Sequence, residues 1–295
     1  MKRKPSVIAI GICVVDIYRH HNRMYPGGNE FNVSYNAMLQ GATSAFMGVF
    51  ADDKVGDILE QTLVENGIDT SRCHHEHGSS GWALVDLVEG DRVFVDWNTK
   101  GVTDLYPFSF TDSEIAYIKT FDIASTSKNS RISYEKFEKL AKAGVKLSYD
   151  FNDNFTDEDI ERIAPCVKIG FFSGSHLTEK ECRKILKKTV DKGCEVAVVT
   201  RGGEASIAFD GEDYTYQEVM KVKATDTMGA GDSFISAFLT NYFSVETDES
   251  NHTESKIKQS LKYASEYAAT VVVKDGSLGV GYDVDPNCLS DILNL

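Results

Sequence analysis

Short apolar runs recur along the chain, separated by polar stretches with a helical spacing of their own. Residues 7–15 (VIAIGICVV) are continuously apolar and rich in branched side chains, the pattern of a strand covered on both faces. Similar runs stand at 44–50, 121–125, 146–150, 169–173 and 195–200. Between several of them, apolar residues fall on one helical face: Ile58, Leu59, Leu63 and Val64, then Tyr134, Phe137, Leu140 and Ala141, then Cys182, Ile185, Leu186 and Val190. Gly67, Gly144 and Gly193 follow these stripes where helices usually end. Strands alternating with helices predict βαβ units and an α/β fold with a mainly parallel central sheet flanked by helices.

One region departs from that rhythm. Residues 81–95 alternate apolar and polar positions around Glu89-Gly90-Asp91, which predicts a hairpin. With the polar-interrupted segment 16–25, it forms a small sheet standing off the main one. The chain reads as one domain over 1–295, with this small sheet drawn from about 13–26 and 81–100. The acidic stretch 246–254 reads as a solvated loop between two helices.

Composition narrows the partners. Lys and Arg number 31 against 45 Asp and Glu, a net charge of −14, so nucleic acid is not an expected partner. A backbone nest can still bind a small anion within an acidic protein. The six cysteines are scattered without a C-x-x-C pair, and read as reduced thiols rather than a disulfide framework or zinc site. The basic start and its apolar run imitate a signal peptide, but Asp16 and Arg19 follow with no small-residue cleavage site. No run approaches the ~20 apolar residues that cross a membrane. A cytoplasmic protein is expected, with no membrane partner.

Several nucleotide and metal signatures are missing. No G-x-G-x-x-G follows the first strand, which counts against an NAD-dependent dehydrogenase, and no Walker-type G-x-x-x-x-G-K-[ST] occurs. No H-E-x-x-H exists; His74, His75 and His77 read as surface residues. Residues 225–232, TDTMGAGD, are more informative, because an apolar run resembling a buried helix follows them. A turn without bulky side chains at a helix start aims free N–H groups outward, where the helix dipole favours an anion. Asp232 then lies in the first turn, placed to take a proton from an alcohol. That combination suits phosphoryl transfer. Taken alone, the octet also admits a lesser reading as an aspartate N-cap on a glycine loop, and that alternative stands at this point.

A second stretch resolves the choice. DTMGAGD (226–232) resembles the C-terminal signature of the PfkB (ribokinase-like) carbohydrate kinase family, and YPGGNEFNVSYNAMLQGATSAFMGVFADDKVGD (25–57) resembles its N-terminal motif. Gly48, Asp52, Asp53 and Gly56 fit the strand-loop that follows the Gly-Gly turn. GDRVF (90–94), DFNDN (150–154) and VTRGG (199–203) come between in the family's order, so the resemblance spans nearly the whole chain.

The resemblance implies a ribokinase-like fold whose small sheet is a lid, and transfer of the γ-phosphate of ATP to a sugar hydroxyl. It implies Asp232 as the base, with the N–H groups of Gly229, Ala230 and Gly231 as the anion hole. Asp16, Gly27, Gly28 and Asn32 match sugar-binding positions, and Arg92 matches a lid arginine. Thr200, Gly202 and Gly203 match the loop along the nucleotide, Asn152 a residue near the ATP phosphates, and Gly276 a position near the purine. The stretch 264–279 would form the adenine wall. ATP and Mg²⁺ are the implied cofactors, with K⁺ as a further cation beside Asp226. The family's N-x-x-E appears as His176-Leu177-Thr178-Glu179, leaving Glu179 as the candidate for a water on Mg²⁺. Arg201 replaces a more usual apolar residue and is a candidate phosphate contact.

VVDIY, YPGGN, GDRVF and GSLGVGYDV are most similar to the fructoselysine 6-kinase branch, which implies a fructosamine phosphorylated on its 6-hydroxyl. Fructokinase and ribokinase-type activities are the alternatives, and a catalytically silent sugar-binding protein is an outside one. The lid is expected to pair two subunits into a homodimer, because a two-stranded sheet is marginal alone and leaves edges to cover.

Overall fold

The computed structural model describes residues 3–20, 22–88, 91–244 and 255–284, with the side chains of 87, 88 and 91–93 excepted. The expected loop at 246–254 and Cys288 lie outside the described residues. The strands are β1 (Ser6–Ile10), β2 (Val14–Tyr18), β3 (Arg23–Gly27), β4 (Thr43–Met47), β5 (Val49–Ala51), β6 (His74–Glu76), β7 (Gly81–Val88), β8 (Asp91–Trp97), β9 (Ile123–Ser127), β10 (Leu147–Asp150), β11 (Ile169–Ser173), β12 (Val196–Arg201), β13 (Glu204–Phe209), β14 (Tyr214–Gln217) and β15 (Tyr282–Asp283). The helices are α1 (Asn29–Leu39), α2 (Lys54–Glu65), α3 (Val102–Leu105), α4 (Asp112–Ile118), α5 (Tyr134–Lys142), α6 (Asp157–Ile163), α7 (Glu179–Asp191), α8 (Ala230–Ser244) and α9 (Lys256–Val271).

Eight strands form the main sheet in the order β14-β13-β12-β11-β10-β9-β1-β4. The six from β12 to β4 pair in parallel, and β13 and β14 extend the edge as antiparallel strands. Both faces are covered, which is why its strands are unbroken apolar runs. Val7 and Ala9 of β1 pack with Phe31 of α1 and Phe238 of α8 on one side. Ile8 and Ile10 face the other way, with Phe137 of α5 and Leu186 of α7.

Two apolar runs are each split. The run at 7–15 breaks at Gly11, where a Cβ would collide with the Glu30 carboxyl group. The Ile12 N–H donates to Glu30 Oε2 at 3.0 Å, and the chain leaves the main sheet to begin β2 in another. The run at 44–50 breaks at Gly48, where a Cβ would strike the Phe46 ring. Of the α2 stripe, Leu59 and Leu63 are buried but Val64 is 54% exposed, because the helix buries a narrower face than its sequence suggests.

A second sheet stands apart, in the order β15-β3-β2-β7-β8. It contains the expected hairpin and the 16–25 segment, with β15 added on the far edge. β2 runs parallel to β7 and antiparallel to β3. β3 ends at Gly27 and Gly28 caps α1, so this sheet feeds directly into the N-terminus of α1. The histidines lie elsewhere on the surface, each against one carboxylate: His74 with Glu114, His75 with Glu60 and His77 with Asp52.

Candidate active site

The start of α8 is built by a buried clasp. Asp226 is 1% exposed; its Oδ2 accepts hydrogen bonds from the Tyr18 hydroxyl (2.8 Å) and the Gly276 N–H (2.7 Å), and its Oδ1 from the Met228 N–H (2.8 Å). The clasp ties the second sheet, the turn and the loop after α9 together. Gly229 has φ +71, and a Cβ there would sit 2.6 Å from the Ser277 Cβ, so only glycine fits without strain. The Ala230 N–H donates to the Thr227 carbonyl at 3.2 Å, whereas no hydrogen bond among the described residues takes the N–H of Gly229 or Gly231. Two of the three expected anion donors are therefore fully available, and the third is shared with the turn.

Asp232, in the first turn of α8, is buried and held from α1. The Asn29 amide donates to its Oδ1 at 2.8 Å and the Asn32 amide to its Oδ2 at 2.7 Å. Ser277 in turn donates to Asn32 Oδ1 at 2.8 Å, and the Asn129 amide to Asn29 Oδ1 at 2.7 Å. Burial raises the Asp232 pKa, opposed by the two amide donors.

Asp232 opens into a polar cavity of about 990 Å³. Asp16 and Asp150 line it as well, each pushed up to about 7 by burial, with Asp232 adding repulsion in both cases. Gly27 leaves room for Asp16, since a Cβ would stand 2.6 Å from Asp16 Oδ2. Gly28, at φ +103, lets the chain pass the Ile12 carbonyl, which a Cβ would approach to 2.8 Å. Asn152 also lines the cavity, with φ +58 and its N–H donating to Asp150 Oδ1 at 2.9 Å.

A second, more apolar cleft of about 620 Å³ lies across the turn. Thr200, Gly202 and Gly203 line one side; Ala268, Ala269 and Val272 at the end of α9 line another. Thr227, Ala230 and Gly231 border both spaces. The glycine turn is thus the shared wall between a polar chamber holding a buried carboxylate and an apolar cleft of nucleotide size.

The sequence pattern of the pfkB family carbohydrate kinases matches residues 5–280. The chain belongs to that family. It is 34% identical over 278 residues to fructosamine kinase FrlD of Bacillus subtilis (strain 168), covering 94% of each chain. It is 32% identical over 237 residues to fructoselysine 6-kinase of Escherichia coli (strain K12), covering 80% of this chain and 89% of that one. The fold matches the ribokinase of Arabidopsis thaliana solved with ribose and ATP, at a TM-score of 0.77 and 18% identity, over 99% of this chain and 100% of that one. The protein is a carbohydrate kinase with the ribokinase-like fold.

In this pfkB kinase, Asp16, Gly28, Asn32, Asn152 and the Gly229–Asp232 turn are gathered around the polar cavity, and Thr200, Gly202 and Gly203 around the apolar cleft. Among the expected positions, Gly27, Gly276 and Glu179 line neither space. Gly276 does not line the apolar cleft; it is packed behind the turn, where a Cβ would strike the Tyr25 ring and its N–H serves Asp226. Glu179 lines neither space, and its Oε1 accepts from the Tyr216 hydroxyl at 2.7 Å. Arg92 belongs to β8, and its side chain lies outside the described residues. Arg201 does line the apolar cleft, paired there with Glu204.

The structure adds Asn29, Asn129, Asp150 and Ser277 to the site. Asn29 directly follows Gly28, so its neighbourhood was visible in the sequence. Asp150 ends β10, the carboxyl end of a parallel strand where ligands bind in such sheets. Nothing local distinguished Ser277 or Asn129.

Proposed function

We propose that this kinase transfers the γ-phosphate of ATP to the 6-hydroxyl of a fructosamine such as fructoselysine. The single observation that supports the transfer is the shared turn: Thr227, Ala230 and Gly231 border both spaces, with Asp232 on the acceptor side. In this reading Asp232 takes the hydroxyl proton as the sugar oxygen bonds to the γ-phosphorus. The bond from that phosphorus to the β-phosphate oxygen breaks, and ADP leaves. Asn29 and Asn32 hold the carboxylate ionised and aimed, and the α8 N-terminus faces the charge that builds on the phosphoryl oxygens. Asp16 accepts hydrogen bonds from sugar hydroxyls, and the α9 wall packs on adenine.

Mg²⁺ would come with ATP and neutralise part of the phosphate charge; Asp150 and Asp153, hard oxygen donors on the cavity wall, are the residues that would hold it or its waters in place of Glu179. Among the described residues no cluster of three His, Cys, Asp or Glu forms a cage for a metal by itself. A K⁺ ion near Asp226 would need backbone carbonyls, since both carboxylate oxygens already accept hydrogen bonds.

Two points support a fructosamine over a plain hexose. The two relatives named above at more than 30% identity are a fructosamine kinase and a fructoselysine 6-kinase, and the cavity, at the upper end of the ~300–1,000 Å³ range for small-ligand sites, has room for a sugar with an appended amine. Its carboxylates would attract that amine. The second sheet serves as the lid within the single domain. β8 is its edge strand, with Phe94, Val95 and Trp97 exposed, a surface suited to a second subunit's lid. No helix among the described residues is long and apolar enough to cross a membrane, and a cytoplasmic location fits its free cysteines.

The test is ADP release from Mg·ATP in the presence of fructoselysine, fructose and ribose. Fructoselysine should give the highest kcat/KM. Release stimulated by none of them would overturn the transfer, and release stimulated by fructose alone would overturn the substrate.

A further inference from the structure

The wall of the polar cavity is heavily one-sided in charge. Six aspartates line it: Asp16, Asp104, Asp150, Asp153, Asp226 and Asp232. Among the described lining residues, Arg131 alone carries a positive side chain. It is ion-paired through Nη1 with Asp104 Oδ1, on the short helix α3 that follows the lid hairpin. Its side chain is 61% exposed, and no other partner takes its guanidinium among the described residues, so most of its five N–H donors are available. The backbone at Arg131 is left-handed (φ +54, ψ +29), a conformation uncommon for a residue with a Cβ. Strain of this kind gathers where a side chain is held for a ligand.

Arg131 also lies downstream of the hydrogen-bond chain that starts at the base. Asp232 is held by Asn29, Asn29 by Asn129, and Arg131 follows Asn129 by two residues. Both residues line the same cavity as Asp232, and the Arg131 side chain is open to solvent; a substrate whose reacting hydroxyl sits at Asp232 would reach them with its far end.

We propose that Arg131 and Asp104 form a specificity subsite for the zwitterionic end of an amino-acid fructosamine, Arg131 taking the α-carboxylate and Asp104 the α-ammonium. This deepens the fructosamine reading above and rests on it. The chemistry is selective in both directions. A carboxylate in a cavity lined by six aspartates is repelled everywhere except at Arg131, whose planar fork pairs with it bidentately. An ammonium at the same end finds the second oxygen of Asp104. A fructosamine built on a simple alkylamine offers neither group, and fructose offers no amine at all.

The test compares kcat/KM for three acceptors: fructoselysine, its Nα-acetyl derivative, which keeps the carboxylate but not the α-ammonium, and the fructosamine of butylamine. The wild-type enzyme should prefer fructoselysine over the butylamine adduct by about tenfold or more, as expected for charge-assisted hydrogen bonds. Arg131→Asn, which suits the left-handed backbone, should collapse that ratio toward one through KM, with Arg131→Lys intermediate. Asp104→Asn should erase the preference for fructoselysine over its Nα-acetyl derivative. Unaltered ratios in these variants would reduce the pair to a structural tie between α3 and the turn after β9, and a raised KM for ATP in Arg131→Asn would assign the arginine to the nucleotide. Equal use of both fructosamines by the wild type would end this proposal while sparing the fructosamine reading. Use of fructose and of no fructosamine would end both.

Discussion

Asn32 and Asp232 lie 200 residues apart in the chain and 2.7 Å apart in the fold, the amide of one donating to the carboxylate of the other. The contact joins the N-terminus of α1 to that of α8. It brings the acceptor's side of the reaction and the proposed base into one hydrogen-bonded unit.

The first prediction concerns that base. Asp232→Asn should lower kcat by about 10²- to 10⁴-fold, the usual contribution of a positioned general base, with ATP affinity little altered. Steady-state kinetics and nucleotide titration check it, and near-normal turnover would remove Asp232 from the role.

The pH profile should report the amides that hold it. Asp232 must be ionised to accept a proton, so kcat/KM should rise with pH through a value above the ordinary 3.8 of aspartate, because burial raises it. Asn29 and Asn32 donate to the ionised form and pull the value down. Asn29→Ala should move the acidic limb upward by about one pH unit, the size of one lost hydrogen bond to a charged group. A limb that stays in place would show that Asn29 does not tune the base.

Asp16 should cost stability at the pH where the enzyme works. Its pKa is about 7 in the fold against 3.8 for an ordinary aspartate. Between those values the folded state binds more protons than the unfolded state, so this group's contribution falls as pH rises from about 4 to about 7 and then levels off. Asp16→Asn should raise the melting temperature at pH 8 by at least ~2–4 °C, equivalent to ~1 kcal/mol, with a smaller gain at pH 5, while reducing sugar affinity. Calorimetry at the two pH values decides it; an equal gain at both would detach the effect from titration.

Gly229→Ala tests the turn itself. The added methyl meets Ser277 and the backbone is at φ +71, so a loss of ~1 kcal/mol or more of stability is expected together with lower kcat. Denaturant unfolding and kinetics on the same sample measure both. A stable, fully active variant would show that the turn can relax without harm to transfer.

The lid edge gives a fifth test. Replacing Trp97, 57% exposed on β8, with Glu should weaken self-association if two lids pair through this strand. Light scattering of the wild type and Trp97→Glu measures it, and a strictly monomeric wild type would end the dimer proposal.

Local signals carried a good part of this protein. The alternation of doubly covered strands with amphipathic helices specified the main sheet, because a buried parallel strand must be apolar on both faces. The 81–95 hairpin was readable from its alternation, and TDTMGAGD from its turn chemistry and the helix after it. Gly28 and Gly229 could be flagged because their backbone conformations are a property of a few adjacent residues. What a side chain faces was not local. Glu179 had the right spacing from His176, yet it meets Tyr216 of β14, a partner set by how α7 packs beside that strand. Gly276 lay in the right stretch, but its N–H turns inward to Asp226, fifty positions earlier. The split of the 7–15 run at Gly11 depended on the buried Glu30 carboxylate arriving from α1. Sequence determined which elements form and which turn can cradle an anion; tertiary packing decided which carboxylate meets which amide, because those partners converge only when α1, α8 and the second sheet close on one another.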